Sequence, residues 1–126
     1  MTAEQALVVT PPSQYRPRET PFPATTSELI CAAHTPSESL YVGIIALNEN
    51  GAKVPMHRHA IEEVQYILYG SGMVRDDDGN QYPVTPGTCV YSPAYVPHEF
   101  ENTGTLPLGI LFIFPSPGGV HPGFVE

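Results

Sequence analysis

The chain has 126 residues, 15 of them proline and 11 glycine, with a formal net charge of −8; a chain of this length forms one domain and can bury a core without disulfides. Only five residues are Lys or Arg, too few for a nucleic-acid surface or for attraction to anionic lipid. No segment approaches the roughly 20 apolar residues needed to cross a bilayer, and Met1 to Thr10 lacks the basic start and sustained apolar run of a secretory signal. A cytosolic location is therefore expected.

Residues 1–26 carry Pro11, Pro12, Pro17, Pro21 and Pro23, a density that opposes regular pairing and predicts an extended arm lying along a surface, its own or a partner's. Residues 27–115 then alternate short apolar runs with turn residues, near 28–34, 39–47, 53–59, 63–69, 72–76, 81–84, 88–92, 97–102 and 107–114. No stretch has apolar positions three and four apart, so helix is limited to a turn or two. This spacing predicts an all-β sandwich or barrel. Asn48 to Gly51 forms one turn cluster, and Asp76, Asp77, Asp78, Gly79, Asn80 forms a second whose Asp-Gly step favours a hairpin. The three aspartates belong to that turn, because no glutamate follows at the spacing a calcium loop needs. Cys31 and Cys89 lie in separate strand-like runs without CxxC spacing, as two small buried hydrophobes would. Residues 116–126 return to irregular composition and are expected to fold over an opening or cover a dimer edge.

The chemistry concentrates in His57, Arg58, His59, Ala60, Ile61, Glu62, Glu63. Side chains at i and i+2 of a strand share a face, so His57 and His59 aim into one interior and Arg58 away from it. Glu63 returns on the next strand, and by the same alternation Glu62 points outward. Imidazole with carboxylate suits Fe, Mn, Co, Ni and Zn rather than the all-oxygen preferences of Ca and Mg. His34 and His121 lack partners in register and are ordinary surface or packing residues.

With its spacing, the segment is Gly51, five residues, His57, one residue, His59, three residues, Glu63, six residues, Gly70. Downstream come Gly87, five residues, Pro93, Ala94, Tyr95, Val96, Pro97, His98, three residues and Asn102. The pair resembles the two motifs of the cupin family, separated here by the 16 residues from Ser71 to Pro86, as in small single-domain cupins. One position departs: the family's usual glycine two residues after the proline is Tyr95. The resemblance implies a double-stranded β-helix, or jelly-roll, barrel with His57, His59, Glu63 and His98 as ligands of one divalent transition metal. Iron and manganese lead, with zinc, nickel and cobalt also compatible. Tyr95 would narrow the mouth of the barrel or point into solvent; both alternatives stand.

Strand alternation from Glu63 places Gln65 and Ile67 inward, with Val64, Tyr66 and Leu68 on the other face. A neutral amide among apolar lining residues must be hydrogen-bonded, so Gln65 either contacts substrate or water or supports a metal ligand. Tyr41, Gly43, Ile45, Phe100 and Phe112 to Phe114 would supply further lining. Cupin lyases that cleave dimethylsulfoniopropionate carry a tyrosine base where this chain has Gln65. Thiol dioxygenases usually lack the ligand carboxylate, which Glu63 supplies here. The remaining expectation is an enzyme, with Glu63 and Gln65 as catalytic residues, acting on a small chelating diketone, hydroxy-ketone or hydroxy-acid. Its reaction would be dioxygenation, or enolisation and isomerisation; the alternative is a metal-dependent binding or sensor module without turnover. A homodimer formed through exposed sheet edges is expected.

Overall fold

The computed structural model describes residues 6–20, 22–31, 35, 37–116 and the strand residues 124 and 125; His34 and His121 lie outside them. After a 3-10 turn over Pro12–Gln14, the chain runs through β1 Arg16–Arg18, β2 Thr25–Ile30, β3 Tyr41–Leu47, β4 Lys53–His59, β5 Glu63–Tyr69 and β6 Gly72–Arg75. It continues through β7 Gln81–Val84, β8 Cys89–Ser92, β9 His98–Asn102, β10 Leu108–Phe114 and β11 Phe124–Val125. No helix among the described residues is long and apolar enough to cross a membrane.

Two antiparallel sheets face each other, one in the order β1-β2-β3-β10-β5-β8 and the other β11-β4-β9-β6-β7. This is the predicted all-β jelly roll. Sequence-adjacent strands repeatedly fall in opposite sheets, as β3 and β4 or β9 and β10 do, so the chain winds between the layers. The clearest pattern is in β3, where Tyr41, Gly43, Ile45 and Leu47 are buried and the residues between them are half-buried. Period-two alternation of this kind turns Val, Ile and aromatic side chains into one apolar face. Tyr41, Ile45, Leu47, Ile67, Phe100, Leu108, Ile110, Phe112 and Phe114 form the core between the sheets.

Three local devices set the frame. Asp76 Oδ1 accepts from the backbone N–H of Asp78 and of Asn80, each at 3.0 Å, and that turn accounts for the aspartate cluster. Asn102 is fully buried; its Nδ2 donates to Leu47 O and Leu106 O while Oδ1 accepts from Gly104 N–H, so one side chain satisfies three backbone groups where two strands leave the barrel. Gly70 has φ +82, and a Cβ there would collide with the carbonyl oxygen of Pro107 and with Leu108 Cα. Only glycine meets both conditions.

Two expectations change. The proline-rich arm does pair: Arg16, Pro17 and Arg18 lie opposite Glu28, Ser27 and Thr26, and β2 begins at Thr25, before residue 27. Proline is tolerated because β1 is an edge strand, where the missing N–H costs no ladder bond. Cys89 is exposed rather than buried, because it starts the edge strand β8 on its outward face; Cys31 is buried, and both are free thiols.

Candidate metal centre

β4 and β9 pair in antiparallel register with His57 directly opposite His98, after a register shift between Val54 and His57. That irregularity and the i, i+2 spacing bring three imidazoles together, with ring centroids 4.4 Å apart for His57 and His98, 5.0 Å for His59 and His98, and 5.5 Å for His57 and His59. One nitrogen from each ring lies within 4.8 Å of the others, close enough to share a metal ion. Glu63, at the start of β5 in the other sheet, reaches across so that Oε1 is 3.1 Å from His59 Nε2 and 3.5 Å from His98 Nε2. The four residues singled out as ligands in the sequence thus converge.

The backbone decides which nitrogen of each ring is available. His57 Nδ1 is 2.7 Å from Pro55 O, His59 Nδ1 is 2.6 Å from Ile61 O, and His98 Nδ1 is 2.9 Å from Val96 O. A carbonyl oxygen only accepts, so each Nδ1 carries the proton, and in the neutral ring Nε2 keeps its lone pair. Two of those lone pairs then face a carboxylate oxygen. Among the described residues, His98 Nε2 is buried with no hydrogen-bond partner. Acceptors crowded in this way need a cation between them, a proton or a metal ion, and three neutral nitrogens with one carboxylate oxygen suit a borderline divalent ion. Burial by itself raises the Glu63 carboxyl, but His59 and His98, when a proton on Nε2 makes them donors, outweigh it and hold it below its ordinary value, and a cation in that place acts in the same direction. Burial lowers His57, which favours the neutral, ligating ring, against an opposing effect of the Pro55 carbonyl.

The centre opens onto a cavity of about 550 Å³ between the sheets. Ile45, Val54, Phe100, Ile110, Phe112 and Phe114 make its walls largely apolar. Gln65 is buried and lines the cavity; its Oε1 accepts from Ser92 Oγ at 3.1 Å, a bond that anchors the amide on the cavity wall. Tyr41 is buried behind Phe112 and Phe114. Glu62 is exposed, as alternation predicted.

Tyr95 explains the departure from the glycine pattern. It has φ 66, the one positive φ at a non-glycine residue among those described, so the backbone keeps the left-handed turn that glycine would adopt without strain. Its ring is 55% exposed and does not line the cavity. Of the two alternatives, solvent is the one realised.

Sequence reasoning missed the arm's share of the cavity. Arg18, Thr20 and Phe22 all line it. The signal was present in Arg16 and Arg18, two of the chain's five basic residues at i, i+2 spacing.

A family model for the cupin domain matches residues 43–114, more than half of the chain. The chain belongs to the cupin family. Among known proteins, this cupin is 35% identical over 68 residues to a glucose-6-phosphate isomerase of Thermococcus onnurineus, a match covering 51% of this chain and 36% of the relative. It is 34% identical over 64 residues to an oxalate-binding protein of Thermotoga maritima, covering 50% of this chain and 52% of the relative. The match thus spans about half or less of these relatives. Among solved structures, the polyketide cyclase RemF of Streptomyces resistomycificus superposes with a TM-score of 0.78 at 19% identity, covering 96% of this chain and 88% of that one, which is likeness of fold.

Proposed function

We propose that this cupin is a metal-dependent enzyme in which a small oxygenated substrate, a diketone, hydroxy-ketone or hydroxy-acid, chelates a divalent ion held by His57, His59, Glu63 and His98. The observation that carries this reading is the convergence of metal-type donor atoms on an apolar cavity: Glu63 Oε1 lies 3.1 Å from His59 Nε2 and 3.5 Å from His98 Nε2, and His98 Nε2 is buried with no hydrogen-bond partner among the described residues. When bound, a divalent ion supplies Lewis acidity to a carbonyl or hydroxyl oxygen, and iron(II) additionally supplies dioxygen chemistry.

The protein's own groups define the rest. Glu63, held ionised beside the substrate position, accepts the proton from the carbon next to a carbonyl, the step that starts an enolisation, and returns it to a neighbouring atom in an isomerisation. Gln65, anchored by Ser92, presents amide protons to a substrate oxygen. Phe100, Phe112 and Phe114 exclude water from the reacting carbon and strengthen each polar contact. The isomerase relative supports enolisation as the leading chemistry, with dioxygenation as its counterpart if iron is the resident ion. The oxalate-binding relative supports a second reading, capture of a small chelating acid without turnover.

The test loads the protein, purified without a nickel column, with iron(II), manganese, zinc, nickel or cobalt and offers hydroxy-ketones, diketones and hydroxy-acids in D2O. Deuterium entering the carbon next to the carbonyl shows enolisation, and dioxygen uptake by the iron form shows oxygenation. Tight binding with neither signal, for every metal, establishes the binding module and sinks the enzyme.

Two copies of this cupin pair through the β8 side of the six-stranded sheet. Tyr66, Leu68 and Tyr91 are exposed there beside an edge strand with open backbone groups, a combination that favours association.

A further inference from the structure

Four strand steps from Glu63 along the six-stranded sheet, at the far end of the same cavity, lies a cation that the centre does not use. Arg18 on β1 stands directly opposite Thr26 on β2, and Thr26 opposite Ile45 on β3; all three line the cavity. The guanidinium packs over the Tyr41 ring, 5.5 Å from its centroid, and Nη1 donates to Tyr41 Oη at 2.6 Å. Tyr41 Oη in turn donates to Glu28 Oε2 at 2.6 Å, while the other Glu28 oxygen is 3.9 Å from Arg16 Nε.

The ordering of these bonds matters. The buried carboxylate of Glu28 is committed to Tyr41 and faces Arg16, so among the described residues Arg18 has no carboxylate of its own. It spends one donor on a neutral hydroxyl and keeps the remaining four of its fork. The cation–π contact and the bond to Tyr41 Oη hold the guanidinium in place and so reduce the entropy a ligand must remove. Beside it, Thr26 is 3% exposed and its hydroxyl has no hydrogen-bond partner among the described residues. A buried hydroxyl left unpaired is costly, and Thr26 lines the cavity directly across from Arg18, where a bound oxyanion would supply the missing partner.

We infer that Arg18 and Thr26 form an oxyanion clamp for the tail of the substrate, so that this cupin selects small molecules with a chelating head and a terminal carboxylate or phosphate. The inference rests on the cavity being the substrate site of the proposed function. In a chain of net charge −8, a half-buried cation on the wall of an apolar cavity, with no carboxylate partner among the described residues, is a ready seat for an anion, because partial desolvation strengthens a charge-assisted bond. Arg18 and Thr26 are specificity residues; neither touches the reacting atoms.

Calorimetry on the full chain loaded with zinc tests it with probes that share a 2-hydroxy-acid head and differ only at the tail. Malate, 2-hydroxyadipate and 2-hydroxysuberate are compared with 2-hydroxybutanoate, 2-hydroxyhexanoate and 2-hydroxyoctanoate, and 3-phosphoglycerate with glycerate. At the tail length that spans the cavity, the charged member should bind at least about ten-fold tighter, the ratio expected of a charge-assisted hydrogen bond. A preference for phosphate over every diacid, or the reverse, identifies the oxyanion. Arg18→Gln should bring each pair within about two-fold while leaving the uncharged member's affinity unchanged. Thr26→Val should weaken the charged member alone by about three-fold and raise the melting temperature, since it removes an unpaired buried hydroxyl; a role in folding alone does not give that opposite pair of signs. Equal binding of charged and uncharged members at every length, or an equal loss for both on Arg18→Gln in a protein that still melts cooperatively, overturns the clamp and leaves the proposed function standing. Binding of no member in any metal form overturns both.

Discussion

The backbone N–H of Tyr95 donates to the carbonyl oxygen of His59 at 2.8 Å. The loop before His98 is thereby tied to the strand carrying His59, so the left-handed turn at Tyr95 fixes the spacing between the two halves of the metal centre. Tyrosine pays for this turn with strain of about 1–2 kcal/mol that glycine would not have. Tyr95→Gly should therefore stabilise the fold, by about 0.5–1 kcal/mol after the added flexibility of the unfolded chain is subtracted. Chemical denaturation checks it, and a loss of stability would mean that the exposed ring makes a contact worth more than the strain.

The centre should behave as a metal site in which each ligand matters. Removal of the ion with a chelator lowers the melting temperature, and restoring it at about 100 times its dissociation constant returns about 2.7 kcal/mol. His98→Ala and His59→Ala should abolish this gain. Thermal melts with and without each ion decide the matter; a melting temperature indifferent to every divalent metal would leave the three imidazoles without that role.

Gly70 and Gly51 share a positive φ but not their surroundings. A Cβ at Gly51 meets nothing within 4 Å, whereas one at Gly70 meets the Pro107 and Leu108 backbone. Gly51→Ala should cost about 1 kcal/mol and Gly70→Ala about 3 kcal/mol or more, because a backbone clash adds to the dihedral strain. Equal costs in urea titrations would show that the β5–β6 turn yields.

Tyr41 gives the fold an alkaline limit. Burial, together with Glu28 accepting its proton, raises its pKa well above the ordinary value of 10.0, against the lowering effect of Arg18. Above pH 10 the unfolded tyrosine loses its proton while the folded one keeps it, so the native state binds more protons and stability falls as pH rises. The stabilisation is complete below that pH. In Tyr41→Phe the alkaline slope of the melting temperature should flatten, and an unchanged slope would assign it to other groups.

Association should depend on the outer face of β5 and β8. Sedimentation should give a dimer at micromolar concentration, and Tyr91→Glu together with Tyr66→Lys should give a monomer that keeps its fold and its metal affinity. A wild-type monomer under those conditions would refute the pairing.

How much was legible in advance can be judged from single elements. The apolar runs near 39–47, 63–69 and 107–114 announced β3, β5 and β10, because side-chain alternation is a local property that survives in one dimension. β1 was hidden: Arg-Pro-Arg has no strand signature, and its pairing arises from the edge position beside β2. Cys89 was misjudged for the same reason, since a small apolar residue is buried or exposed according to whether its strand is central or peripheral. His57, His59 and Glu63 stood out through ligand chemistry and spacing and His98 through the resemblance to the second cupin motif, while the Arg16 and Arg18 spacing marked a pair of cations without relating either to the cavity, whose metal centre lies four strands away.

The sequence by itself determined the all-β class, the turn chemistry and the cluster of His57, His59 and Glu63, since each depends on residue type and near-neighbour spacing; His98 joined them through the resemblance to the second cupin motif. Only the tertiary structure decided that carbonyls of Pro55, Ile61 and Val96 assign the ring tautomers, that the Tyr95 turn bonds to His59, and that the arm places Arg18 and Thr26 in the cavity. These relations join residues distant along the chain. They come into being when the sheets close, because the partner of each group is chosen by register and strand order, quantities that no short stretch of sequence encodes.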